Sequence, residues 1–210
     1  MSSDEASASQ LIQRCRRGDP AARDELFARY RNYLRFLSQG QLGRHLRAKC
    51  DPSDLVQQTL LEAYRDFPRF TGGTEAELLG WLRQILAHNL CNEARRFAAK
   101  QRAARREVSL EEVRAGLDGS SAALGRCLAA DQSSPSQSAA RRQNAAYLAD
   151  RLARLPPDYQ TVIVLRIFEG LSAEETAARM GRSPGAVRML QMRALTALRE
   201  ELKEMESGAE

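Results

Sequence analysis

Two arginines and two methionines share one face of a predicted helix near the C-terminus of this 210-residue chain. An arginine can donate paired hydrogen bonds to a guanine edge or a phosphate, and a methionine offers apolar contact to a thymine methyl group. Just before the helix, a cation and free backbone amides could hold a phosphate. We therefore expect this segment to read duplex DNA. Its candidate contact residues are Arg182, Ser183, Arg188, Met189, Met192 and Arg193.

Local signals predict the elements that must position these side chains. Ser172 and Glu175 have the spacing of a capping box that opens a first helix. Gly181 follows where a left-handed residue would end it, and Ser183 then caps a second helix with Pro184 in its first turn. This pattern predicts a helix-turn-helix, in which the first helix supports the second against the major groove. The alternative is a helical hairpin that only builds a core.

A second polar set lies on a long helix predicted over residues 75–106. Its side chains recur at helical spacing, and their amide, imidazole and guanidinium groups are suited to base edges and phosphates. These candidates are His88, Asn89, Asn92, Arg95 and Arg96.

Basic side chains concentrate in the same two places. The formal net charge is +5. Residues 88–106 carry six positive and one negative side chain, and residues 141–199 carry ten positive and five negative ones, so each segment is +5. Residues 107–140 come to −3 and the last eleven residues to −4. One basic cluster often only complements a helix end, but two separate clusters favour nucleic acid as the partner.

Hydrophobic periodicity predicts helices along the chain and no strand. A helical block over residues 8–47, interrupted by a turn at Gly18, and helices over 51–67 and 75–106 make a first unit. Between residues 107 and 140 Ser, Gly and acidic residues replace the periodic pattern, which indicates a spacer with one short helix near 110–117. The predicted fold is all-α. It has two small helical domains, residues 8–106 and 141–205, joined by a flexible linker, residues 107–140.

Composition and cysteine spacing exclude several classes of protein. The apolar runs fall far below the roughly 20 residues that cross a bilayer, and the acidic, polar start is unlike a secretory signal. We expect a cytoplasmic protein without membrane insertion. Four cysteines at least 34 residues apart and two histidines disfavour a metal site or a disulfide framework. Without a phosphate loop or nucleophile constellation, we expect no catalytic residues, no cofactor, no metal and no small-molecule substrate.

Two segments carry a family resemblance. The first reads Asp-Leu-Val-Gln-Gln-Thr-Leu-Leu-Glu-Ala-Tyr over residues 54–64, then Phe-Pro-Arg-Phe over 67–70, a glycine-containing loop, Trp-Leu at 81–82 and His-Asn-Leu at 88–90. The second runs from Leu155 through Gly170 into the helix-turn-helix. They resemble the second and fourth regions of bacterial RNA polymerase sigma factors of the sigma-70 superfamily, most closely the small extracytoplasmic-function (ECF) type. Together they cover about residues 8–100 and 143–203.

The resemblance implies a sigma factor that binds core RNA polymerase, at its clamp coiled coil and flap, and directs promoter-specific initiation. The second domain would recognise the minus-35 element and the first would melt the minus-10 element. On the helix over 54–67 we expect Val56, Leu60, Tyr64 and Phe67 to face inward. The outward side chains are then the polymerase-binding candidates: Asp54, Gln57, Gln58, Leu61 and Arg65. Many relatives carry Glu where this chain has Gln58, so one charged contact is weakened.

The loop that contains Thr71, Gly72 and Gly73 resembles the element that captures a base flipped out of the minus-10 strand. A preformed pocket offsets the few kcal/mol that flipping costs, although two glycines could equally form only a turn. The chain has one extra residue after Trp81, which leaves either His88 or Asn89 in the family's asparagine role. An anti-sigma factor is a further candidate partner.

Two other functions fit parts of the sequence. A DNA-binding regulator with a helical effector domain would bind duplex tightly without polymerase. An RNA-processing enzyme or nuclease would need a paired-carboxylate or histidine site, and the sequence offers none.

Overall fold

The structure is a computed structural model that describes residues 7–45, 51–101, 109–129 and 145–207. These residues form helices and turns without a strand, so the predicted all-α fold is confirmed for them. In chain order the elements are α1 (Ala8–Arg16), α2 (Pro20–His45), α3 (Pro52–Asp66), a 3₁₀ turn (Phe67–Arg69), α4 (Glu75–Gln101), α5 (Leu110–Ala129), α6 (Ala145–Arg154), α7 (Pro157–Ile163), a π-helical turn (Val164–Phe168), α8 (Ala173–Met180) and α9 (Pro184–Ser207).

Short side-chain caps set where the N-terminal helices begin. The chain turns between α1 and α2 at Gly18, whose φ is 85°, a left-handed value that favours glycine. At the start of α2 the Ala22 amide donates to the Asp19 carboxylate at 3.1 Å. Asp51 caps α3 in the same way, accepting from the Ser53 amide at 2.8 Å. Because caps are local signals, the sequence placed these helix starts correctly.

The buried stripe of α3 is broader than the predicted one and leaves out one predicted member. Val56, Leu60 and Phe67 are buried as expected, whereas Tyr64 is 37% exposed and Ala63 is fully buried. The helix buries two adjacent residues in most of its turns. The centre of the buried stripe therefore lies between those two residues, and Tyr64 lies at the edge of the stripe. The prediction that Tyr64 faces inward is therefore wrong.

An aromatic cluster fixes α3 and α4 against α2. Phe67 lies with its ring centroid 5.8 Å from both Phe27 and Phe70. The Phe70 ring stacks on Trp81 at 5.0 Å. These rings surround the loop between the 3₁₀ turn and α4, so the loop is anchored at both ends.

The segment between the two halves holds a much longer helix than predicted. A spacer with one short helix near 110–117 was expected, but α5 has 20 residues. Its Val113, Leu117 and Ser120 are buried at three- and four-residue spacing. The described part of this segment is thus packed helix rather than flexible linker; residues 107–108 and 130–140 lie outside the described residues.

Close approach to α2 explains why α5 continues through small residues of poor helix propensity. A Cβ added at Gly116 would lie 2.7 Å from Oε1 of the buried Gln41 side chain. Tertiary packing, which composition does not reveal, therefore extends this helix.

The C-terminal half contains α6 to α9. The buried helical segment formed by α7 and the π-helical turn ends just before Gly170, and its last turn is wider than an α-helical turn. There the Glu169 amide donates to the Val164 carbonyl at 2.9 Å, five residues back. Gly170, with φ 70°, then reverses the chain.

Helix α2 links the two halves. It packs against α1, α3, α4 and α5 and also against α6 and the π-helical turn. Buried apolar residues of both halves form one continuous cluster. None of the helices in the described ranges is long and apolar enough to span a bilayer.

Candidate nucleic-acid interface

The helix-turn-helix forms with the caps that the sequence predicts. The Ser172 amide donates to the Glu175 carboxylate at 2.7 Å, and the Glu175 amide donates back to the Ser172 hydroxyl at 3.1 Å. Gly181 ends α8 in the left-handed conformation, with φ 62°. At the start of α9 the Ala186 amide donates to the Ser183 hydroxyl at 3.2 Å. This leaves two helices joined by a short, rigid turn.

The outward face of α9 carries the predicted DNA-contacting set. Met189 and Met192 are 47% and 55% exposed, and Arg188 and Arg193 are exposed beside them. Since Val187, next to Arg188 on the same helix, is fully buried, the helix cannot roll without losing its core contacts. Two cations and two apolar side chains are thus held towards solvent on one face.

Two of the predicted DNA-contacting arginines pair with acidic side chains. Arg188 Nη2 lies 3.0 Å from Glu174 Oε1, and both side chains are 64% exposed. Arg182 pairs with Asp158 at the turn. Exposed pairs of this kind contribute about 0–1 kcal/mol, so a phosphate or guanine can replace the carboxylate. The acids keep the arginine side chains near the surface that they would use.

Arg166 braces α9, the second helix of the helix-turn-helix. Sequence reasoning did not identify this arginine. Its Nε donates to Gln191 Oε1 at 2.9 Å, and its Nη1 donates to the Leu171 carbonyl. One side chain thereby ties the π-helical turn to both the loop before α8 and the middle of α9. The available signal was a lone arginine inside the apolar run from Val162 to Phe168.

The loop before α4 is held in one shape by Glu77. Its Oε2 accepts from the Gly73 amide at 2.9 Å, and from the Thr74 amide and hydroxyl at 3.0 and 2.8 Å. Hydrogen bonds from Thr74 and from the Gly73 amide hold the pKa of the Glu77 carboxyl below its ordinary value. Sequence reasoning overlooked Glu77, although Thr74 with Glu77 has the spacing of a capping box.

Gly72 is required where this loop meets the aromatic cluster. A Cβ there would lie 2.5 Å from the Phe70 ring and 2.8 Å from the Glu77 Cβ. The Gly72 carbonyl also accepts from Arg16 Nη2 at 2.6 Å. Gly72 is buried, while Thr71 and Gly73 are exposed on either side. Only the exposed members of the predicted loop set are therefore available to a ligand.

Helix α4 turns His88 outward and Asn89 inward. His88, Asn92, Arg95 and Arg96 are exposed, whereas Asn89 is only 2% exposed. Asn89 does not lie on the exposed face where the sequence predicted it, because the α3–α4 contact buries its amide. Of the two residues considered for the family's asparagine role, the exposed one is His88.

A polar network explains the burial of Asn89. Its Nδ2 donates to Thr59 Oγ1 and to Glu62 Oε2, each at 3.2 Å. Gln58 Nε2 completes the network by donating to Glu62 Oε1 at 3.1 Å and to Asn89 Oδ1 at 3.3 Å. Each buried polar group has a partner, so Asn89 joins α3 to α4.

The outward face of α3 matches the predicted polymerase-binding set, apart from Gln58. Asp54, Gln57 and Arg65 are exposed, and Leu61 is 65% exposed among them. Gln58 is half-buried because it serves the network with Asn89. Arg65 pairs with Asp66 at 3.0 Å.

The three predicted surfaces occupy two parts of the molecule. They are the α3 face, the loop together with the α4 face, and the α9 face. The α3 face, the loop and the α4 face belong to one packed group of helices, and the α9 face belongs to the other half. In the described ranges no group of three or more His, Cys, Asp or Glu side chains is placed to hold a metal ion.

Comparison with known proteins identifies the family. The family model "ECF sigma factor" matches residues 5–206. The chain is 35% identical over 195 residues to the RNA polymerase sigma factor CarQ of Myxococcus xanthus, covering 93% of this chain and 97% of that protein. It is 31% identical over 196 residues to the ECF RNA polymerase sigma factor BldN of Streptomyces coelicolor, covering 93% of this chain and 66% of that protein.

Among solved structures, the RsbN–BldN complex matches with 24% identity and a TM-score of 0.30, covering 90% of this chain and 97% of the other. The family match spans nearly the whole chain, from before α1 to the last turn of α9. The chain belongs to the ECF sigma factor family and is an RNA polymerase sigma factor that directs promoter-specific transcription.

Proposed function

We propose that the protein divides this task between two units joined by residues 107–140. Residues 8–106 bind core polymerase and open the minus-10 element, and residues 141–205 recognise the minus-35 element. The observation that carries the proposal is the α9 face, where Arg188, Met189, Met192 and Arg193 are exposed on the helix that follows a left-handed Gly181. A helix so presented fits the major groove.

Base recognition at the minus-35 element is assigned to the two arginines and two methionines. Arg188 and Arg193 would donate to guanine edges or phosphates, and the methionines would contact thymine methyl groups. Arg182 and the amides near Ser183 would hold a phosphate at the start of α9. Arg166 acts only through the helix that it braces.

The minus-10 strand is assigned to the loop and the exposed face of α4. The loop is already ordered by Glu77, so little conformational entropy is lost when a flipped base contacts Thr71 or Gly73. His88 and Asn92 would contact bases, and Arg95 and Arg96 would contact the backbone of the emerging strand.

Polymerase docking is assigned to the α3 face. Leu61 supplies an exposed apolar side chain within a polar rim formed by Asp54, Gln57 and Arg65, the arrangement expected of an interface anchor. Gln58 contributes indirectly through its bond to Asn89.

The protein would act in the cytoplasm without chemistry of its own. It would position polymerase and DNA, and an anti-sigma factor is a candidate partner that would restrain it. One similar protein, BldN, has been solved as a complex with RsbN. That complex is a property of BldN, and for this chain the anti-sigma partner is part of the proposal.

Run-off transcription with purified core polymerase on a genomic promoter library tests the proposal. We expect initiation from a defined promoter class that core alone does not use. The combined Asp54→Ala and Gln57→Ala variant should require more protein for half-maximal run-off and should bind minus-35 duplex normally. Glu111→Ala, which removes an exposed acid on α5, is the matched control. Initiation no more specific than with core alone would contradict the proposal.

A further inference from the structure

One side chain of α1 reaches the loop before α4. Arg16 lies in the last turn of α1, and its Nη2 donates to the Gly72 carbonyl at 2.6 Å, 56 residues further along the chain. A charged donor makes a shorter and stronger hydrogen bond than a neutral one. This bond therefore ties the loop to a helix that otherwise packs mainly against α2.

The end of α1 is itself fixed, so Arg16 extends from a defined position. The apolar face of α1 is buried in the core. Arg14 donates from Nε and Nη2 to the Asp19 carboxylate, at 3.0 and 2.8 Å, across the turn that contains the left-handed Gly18. A carboxylate held by two donors of one guanidinium has a specific geometry. Arg16 therefore approaches the loop from an ordered support.

Arg16 and Glu77 hold the same peptide group of the loop by its two polar atoms. The carbonyl of the peptide between Gly72 and Gly73 accepts from Arg16, and its N–H donates to the Glu77 carboxylate at 2.9 Å. Hydrogen bonds from Thr74 and Gly73 are the main causes of the lowered pKa of Glu77, and the Arg16 charge contributes further. Because a peptide group is planar, fixing its oxygen and its nitrogen fixes its orientation.

The orientation of this peptide decides which parts of the loop face solvent. Gly72 is buried against the Phe70 ring, whereas Thr71 and Gly73 are exposed on either side. A Cβ built at Gly73 would meet nothing within 4 Å, so the space beside it is open to a ligand. Two adjacent glycines give this part of the backbone many accessible conformations. A bond from outside the loop is therefore needed to select one of them.

We propose that Arg16 is a positioning residue for base capture at the minus-10 element: from α1 it holds the loop peptide in the orientation in which Thr71 and Gly73 contact the flipped base. The proposal rests on the function proposed above for this loop and adds a residue to it. Without Arg16 the loop has this orientation in only a fraction of the molecules, and the apparent affinity for a captured base falls by that fraction. A base that the loop does not capture is unaffected. Arg16 therefore contributes to base selectivity and not to general DNA affinity.

NMR spectroscopy of the free full-length protein tests the positioning without DNA. Arg16→Met removes the guanidinium and keeps an unbranched side chain. The amide signals of Gly73 and Thr74 should shift, and their hydrogen exchange should become at least about threefold faster, because the loop then opens more often. Arg17→Met is the matched control, since Arg17 is an exposed arginine at the next position, and it should leave both signals unchanged. Unchanged Gly73 and Thr74 signals in Arg16→Met would overturn the proposal.

Strand binding by the complex with core polymerase tests the effect on selectivity. The probes are four single-stranded oligonucleotides of a minus-10 element found by the run-off screen, which differ only at the base whose replacement weakens wild-type binding most. In Arg16→Met the preference for the favoured base should fall roughly tenfold, the factor that a hydrogen bond to a charged group contributes. Binding of the other three should not change. Arg17→Met should keep the wild-type preference, and Arg16→Lys, which can still donate to the carbonyl, should recover at least about half of the loss on a logarithmic scale.

The possible results separate this proposal from the function on which it rests. Equal losses on all four oligonucleotides would overturn it, because Arg16 would then be a general phosphate contact. Faster amide exchange with an unchanged base preference, or no recovery in Arg16→Lys, would also overturn it. If the wild type itself shows no preference among the four bases, the loop does not capture a base and the proposed function of the loop fails. The NMR result then still decides whether Arg16 orders the loop.

Discussion

Single side chains on α9 should carry most of the minus-35 specificity. Arg188→Ala and Arg193→Ala should each weaken binding by about 1–3 kcal/mol if they make paired contacts to bases. Fluorescence anisotropy with a labelled minus-35 duplex at fixed salt measures the loss. Arg154→Ala, which removes an exposed arginine of α6, is the control of equal charge. Equal losses for Arg154 and Arg188 would indicate only general attraction to phosphate.

Asn89 and His88 are neighbours with opposite roles, and stability should separate them. Asn89→Ala removes the buried amide that donates to Thr59 and Glu62 and should lower the free energy of unfolding by about 1–3 kcal/mol. His88→Ala should leave stability unchanged and weaken binding of single-stranded minus-10 DNA. Urea unfolding and strand-binding titrations measure the two effects. A stable Asn89→Ala protein would contradict the structural role of this network.

A one-residue ambiguity of this kind is hard to settle from sequence alone. His88 and Asn89 are adjacent polar residues on one helix, and helical periodicity places both near the edge of the apolar stripe. Only the position of Thr59 and Glu62 on α3 decides which one is buried. Tyr64 was misplaced for the same reason, since the centre of a stripe depends on the helix packed against it.

At the scale of elements, the loop before α4 should loosen in acid. Hydrogen bonds lower the pKa of Glu77 in the folded protein below the ordinary value of 4.5, so the stability that this carboxylate contributes is fully present above pH 4.5. That contribution is lost as pH falls through the lowered pKa. The amide chemical shifts of Gly73 and Thr74 in NMR spectra should therefore titrate together below pH 4.5. Glu77→Gln should abolish the titration.

Elements with local start and stop signals were predictable, and elements made by distant contacts were not. The caps at Ser172 and Ser183 and the turn at Gly181 specify the helix-turn-helix from neighbouring residues. By contrast, α5 contains Gly116 and further small residues. Such a composition by itself is typical of a spacer and does not predict a long helix. Its buried face is stabilised by α2 and α4, far away in the sequence. The contacts between the two halves could not be predicted either, because they also join residues that are far apart in the sequence.

At the scale of the whole molecule, two separate basic surfaces should act additively once polymerase holds both on one promoter. Arg95 and Arg188 belong to different surfaces, so the losses from Arg95→Ala and Arg188→Ala should sum to within about 0.5 kcal/mol in holoenzyme–promoter binding. Each substitution should reduce the slope of log affinity against log salt by about 1, and the double variant by about 2.

Arg114→Ala is the control for that experiment, because it removes an exposed arginine from α5, which is assigned to neither promoter element. Its salt slope should equal that of the wild type. If only one of the two surface variants changed the slope, the two basic segments would not bind the promoter at the same time. The net charge of +5 understates the expected behaviour, since acidic residues in the connecting segment and the tail offset the charge of two local basic surfaces that we propose contact different stretches of DNA.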